Sequence, residues 1–213
     1  MKNCDTDSAF CGAHFCLETT LCAGTDLDLL ENDAEMHGRQ MVDCGEIEHM
    51  DCCLRSLLQL ILNLQGKSSN AAILTEAVHN QTDAMQATSI SKDQHHVSHL
   101  AKDMPFAAAF FGDWKRGAKV GEKHIGTVCG TLVSQRSVAV SRFITGVSCF
   151  DEACRTGKKK FLAIAKKNLK IVQSASLHCN LFLSVLCCFG FDHSRAQSSL
   201  KLVLHVRRFF SVV

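Results

Sequence analysis

Proline is nearly missing from this sequence. Pro105 stands alone among 213 residues, where average usage gives roughly ten, and tyrosine is absent altogether. Proline punctuates the loops of ordinary globular domains, and local and global signals agree in a foldable sequence. The scarcity therefore keeps open a truncated or recently arisen reading frame with no packed fold. No C-x-x-C pair occurs, which removes the common closed zinc motifs. Neither G-x-S-x-G nor a phosphate-cradling glycine loop is present, so acyl-transfer and nucleotide-binding signatures are missing too. Behind the polar, acidic opening from Met1 to Asp7 there is no apolar run, against a secretory leader. The apolar stretch from Leu177 to Phe191 is broken by His178, Asn180 and Ser184, and its uninterrupted part is shorter than a spanning helix requires. It suits a core helix or a membrane-surface segment.

What is present is enough apolar material, 46% of residues against 21% charged, to build one domain or two small ones. Thirteen cysteines would suggest a disulfide framework in a secreted chain. Here the number is odd, and Cys52-Cys53 and Cys187-Cys188 are adjacent pairs. Reduced thiols acting as small hydrophobes fit better, in the nucleus or the cytoplasm. No cofactor is expected, and the protein reads as a non-enzyme.

The net charge of +2 conceals a split. Up to Pro105 there are 16 acidic and 6 basic residues, and from Phe106 onward 5 acidic and 17 basic. Such asymmetry suggests an acidic arm joined to a polyanion-facing half, or two halves that neutralise each other.

Residues 1–50 are acidic and cysteine-dotted without sustained periodicity, and are expected to be poorly ordered. Leu27, Leu29 and Leu30 among Asp26, Asp28 and Glu31 resemble acidic activation segments. Cys52 to Gln65 carries Leu54, Leu57, Leu58 and Ile61 at helical spacing, giving an amphipathic helix with Asp51 as N-cap and Gly66 as its C′ residue. Its apolar face is the candidate protein-partner surface. A second helix from Ala71 to Ile90 would complete an αα-hairpin within a unit of residues 51–104. In the basic half, residues 106–213, Gly112 to Gly126 looks like an exposed basic loop. The β-branched runs Ile125–Val133 and Ser137–Ile144 suggest a β-hairpin. Lys158 to Val172 reads as an amphipathic helix presenting Lys158, Lys159, Lys160, Lys166, Lys167 and Lys170 to nucleic acid or to an anionic membrane surface. His95 and His99, four apart, are the candidate metal pair; the metalloprotease form would need glutamate where His96 stands.

Residues 43 to about 104 resemble part of the regulatory domain of fungal aflatoxin-regulator-type transcription factors. The similarity is carried by Asp51-Cys52 leading into the leucine-rich helix, by Ile73-Leu74, and by the run Asn80 to Ile90. The resemblance implies a nuclear regulator of a secondary-metabolite gene cluster. The family's six-cysteine zinc cluster is absent, and no cysteine stands near Ser91–Gln94 where its Cys-x-Cys-Ser segment should fall.

The expected fold is therefore mixed α+β: a helical N-terminal half, and a basic C-terminal half with a β-hairpin and helices, or loosely ordered. The expected function is a non-enzymatic intracellular regulatory or interaction protein, transcription-associated. The alternative is a peripheral membrane protein binding anionic lipid through the basic helix.

Overall fold

A computed structural model describes residues 4–47, 54–76, 78–91, 94–124 and 135–176. Among them are eight named helices: α1 (Cys4–Cys22), α2 (Leu27–Asp43), α3 (Arg55–Leu64), α4 (Gln81–Ser91), α5 (Gln94–Phe110), α6 (Trp114–His124), α7 (Gln135–Thr156) and α8 (Lys159–Ser176). The described residues are 79% helical and contain no strand, so the expected α+β class is corrected to predominantly all-α.

The proposed hairpin fails for a visible reason. Its second arm lies inside α7, where Val140, Ile144 and Val147 are buried. Their spacing of four and three is a helical period, and it outweighs the preference of β-branched residues for strands. The first arm, residues 125–133, lies outside the described residues. The expected basic loop over Gly112–Gly126 is also corrected, because α6 occupies most of it. Gly117 and Gly121 serve there as close-approach points. A Cβ on Gly117 would meet Ser148 Oγ at 2.6 Å, and one on Gly121 would run into Thr145 Cγ2. Gly146 lets α7 meet α8 in the same way, with Leu169 Cγ at 2.9 Å from a built Cβ.

In the acidic half, α2 is capped by Asp26, whose Oδ1 accepts from the Asp28 and Leu29 amides. Leu30, Ala34 and Met41 form its buried stripe. The leucine-rich helix is present as α3, and Gly66 closes it at φ +75°. Its expected partner starts later than the sequence suggests, at Gln81 rather than Ala71. Asn80 sets that start, its Oδ1 accepting from the Thr82 and Asp83 amides. The preceding loop is held by Asn63, which donates to the carbonyls of Ala71 and Ile73, and by Leu74, which is fully buried.

The main core gathers Leu17, Leu30, Met41, Leu57, Leu60, Ile61, Leu100 and Ala107 from α1, α2, α3 and α5. Two smaller clusters hold the basic half: Ala118, Cys149, Phe161 and Ala165, and Ala109, Val140 and Ile144. Helix α5 takes part in both regions. Pro105, the sequence's one proline, sits inside it rather than in a loop.

Candidate functional site

The main core is not wholly apolar. His14 and Glu18 stand one turn apart on α1, on the same face, and both are buried. His14 Nε2 lies 2.8 Å from Glu18 Oε1. Across from them α5 contributes His99, Lys102 and Asp103, also at one-turn spacing and also buried. The His14 and His99 rings meet edge to face with centroids 4.9 Å apart. Lys102 Nζ makes an ion pair with Glu18 Oε1 and lies 3.5 Å from Asp103 Oδ1. Ser56, on α3, donates from Oγ to Asp103 Oδ2 at 2.6 Å.

Burying so many polar groups is costly unless they satisfy one another. Burial pushes the Lys102 ammonium below its ordinary range, and the adjacent Asp103 carboxylate opposes that shift. Within this chain of side chains two carboxylates face a single lysine. A cavity of about 30 Å³ borders it, lined by Glu18, Lys102 and Asp103 on its polar side and by Leu57, Leu60 and Phe106 on its apolar side. His14, Glu18 and His99 can each offer one donor atom, and these atoms lie within 4.8 Å of one another.

The sequence pairs His99 with His95. The structure brings His99 to His14 and Glu18; the side chain of His95 lies outside the described residues. His14 and Glu18 carried a readable signal, an i, i+4 pair of ligand types. Their meeting with α5 is tertiary and has no counterpart in local sequence.

The candidate partner face of the leucine helix is turned inward. Leu54, Leu57 and Ile61 are buried and Leu58 is half-buried, all four within the main core. The lysines lie outside. Lys158, Lys159, Lys160, Lys166, Lys167 and Lys170 are all exposed, while Phe161, Ala165, Asn168, Leu169 and Val172 form the buried side of α8. Lys160 bonds Glu122 of α6 at 2.6 Å. Lys115, Lys119 and Lys123 are exposed on α6, which packs with α7 and α8. The acidic helix α2 packs against α1 and α3. No described helix is long and apolar enough to cross a membrane.

No family model matches this chain, and neither a curated protein nor a solved structure does.

Proposed function

We propose that this is a non-enzymatic intracellular interaction protein that meets a polyanion, nucleic acid in the first instance, through the lysine face of α8. The observation that carries this reading is the division of α8 into two sides. Its lysines are exposed, whereas Phe161 keeps only 4% of its surface accessible. An amphipathic helix that binds lipid inserts its apolar side. Here that side is already spent on α6 and α7, which leaves charge alone as the means of attraction. Charge alone suits a phosphate backbone, where each lysine displaces condensed counterions. The acidic α2 packs elsewhere in the bundle, which supports an external partner over self-neutralisation. A transcription-associated role, as the fungal-regulator resemblance implies, is compatible with this surface.

The test is fluorescence anisotropy of the reduced full-length protein with a labelled 20-base-pair DNA duplex, across a salt series. Binding should weaken steeply with salt. A variant carrying Lys159→Glu, Lys166→Glu and Lys167→Glu should bind less tightly, with the salt slope reduced by roughly one per lysine that touches a phosphate. Unaltered binding by the variant, or binding only to phosphatidylserine vesicles, would overturn the reading.

A further inference from the structure

The interior of the α1/α5 contact has the donor chemistry of a metal site. We propose that His14, Glu18 and His99 bind one divalent transition-metal ion of the Zn²⁺ type, which competes with the Lys102 ammonium for Glu18. The site is independent of the lysine face and of whatever that face binds.

The donors decide the class of ion. Two imidazole nitrogens and one carboxylate oxygen suit zinc and its first-row neighbours, whereas magnesium and calcium require oxygen-rich shells. His₂Glu is a recognised three-ligand zinc set, completed by water. Ligands about one tetrahedral zinc, at roughly 2.0–2.2 Å from it, lie about 3.3–3.6 Å apart. The three donor atoms fall within 4.8 Å of one another, so the widest pair has at most about 1.4 Å to close, within reach of side-chain rotation. His14 Nε2 and Glu18 Oε1, 2.8 Å apart, have about half an ångström to open. Both histidines and the carboxylate come from two helices whose side chains meet here, the His14 and His99 rings edge to face.

The surroundings fit a cation in two further ways. Two buried carboxyl groups, Glu18 and Asp103, stand against one lysine, and buried carboxylates are paired or coordinate metals. Lys102 also has somewhere to go. Its ammonium contacts Glu18, and Asp103 Oδ1 stands 3.5 Å away. A metal that takes Glu18 therefore leaves Lys102 with a carboxylate already in reach, one fixed from behind by Ser56. The adjoining cavity of about 30 Å³, which reaches Glu18, is large enough for one water molecule.

Thirteen cysteines could bind zinc elsewhere, so the probe must report its ligands. Chelator-treated full-length protein is titrated with Co²⁺ and followed by absorption. The expected result is one equivalent taken up with visible d–d bands, without near-ultraviolet thiolate-to-cobalt bands, and displaced by Zn²⁺. His14→Gln and His99→Gln should each weaken it at least about tenfold. Lys102→Met, which removes the competing ammonium but no ligand, should keep the bands and tighten binding by about tenfold, the scale on which outer-shell changes act. Absence of uptake, thiolate bands, or binding indifferent to both histidine variants would overturn the proposal. If the histidine variants fail to fold, Lys102→Met decides, and an affinity equal to the parent's counts against the site.

Discussion

Ser56 donates a 2.6 Å hydrogen bond to Asp103 across 47 residues of chain, both side chains buried. It ties α3 to α5 at the point where the main core turns polar. Ser56→Ala would leave Asp103 Oδ2 without this donor, and a buried acceptor deprived of its partner costs about 1–3 kcal/mol or more when charged. A lowered urea midpoint at unchanged slope is expected. Equal midpoints for variant and parent would mean that solvent replaces the hydroxyl.

Two glycines in helices should respond oppositely to the same change. Gly12 has open space where a Cβ would stand, so Gly12→Ala should gain up to about 1 kcal/mol from helix propensity. Gly121 has Thr145 against it, and overpacking typically costs about 1–3 kcal/mol. Thermal unfolding should rank Gly12→Ala above the parent and Gly121→Ala below. The reverse order would rule out the close α6/α7 approach.

Cysteine reactivity provides a third check. Burial, followed by the charges of Glu122 and Glu152, pushes the Cys149 thiol up to about 12. At pH 8 its thiolate fraction is then about one in ten thousand. Brief native iodoacetamide treatment should label exposed Cys16, Cys44 and Cys154 and spare Cys149. Peptide mass spectrometry reads the pattern. Labelling of Cys149 at the pace of Cys154 would contradict its burial.

Asp151 predicts a pH dependence. Burial, with the Glu152 charge adding to it, raises its carboxyl above the ordinary 3.8, and Arg155 works the other way. The folded chain thus holds the proton more readily than the unfolded one. The ionised form costs stability above the folded value, and that cost disappears below the unfolded value near 3.8. Asp151→Asn should therefore be more stable than the parent at pH 7, and the gain should vanish on acidification to pH 3. A gain that persists at pH 3 would assign the effect to something other than ionisation.

How much of this was legible depends on whether the cause was local. The α3 stripe, its Gly66 terminus and the division of α8 into lysine and apolar sides follow from spacing alone, and all three are in the structure. The segment Ser137–Ile144 misled because composition and period disagree there, and burial of Val140, Ile144 and Val147 follows the period. The α6 glycines misled because a residue without a side chain signals a loop and a tight helix crossing equally well. The interior cluster was half-visible. His14 with Glu18, and His99 with Lys102 and Asp103, each occupy one helix face, but 80 or more residues of chain separate the two sets. Only packing unites them.

Helix α5 gives Leu100, Met104 and Ala107 to the main core and Ala109 to a cluster of the basic half. Pro105, where the charge of the sequence changes sign, falls within the main-core stretch, ahead of Ala107. The electrostatic frontier and the mechanical one therefore do not coincide. A cleavage or splice junction at the change of charge would leave one product without the end of its wall and the other without the beginning of its own. The acidic and basic halves differ in what they attract, yet neither is a separable piece.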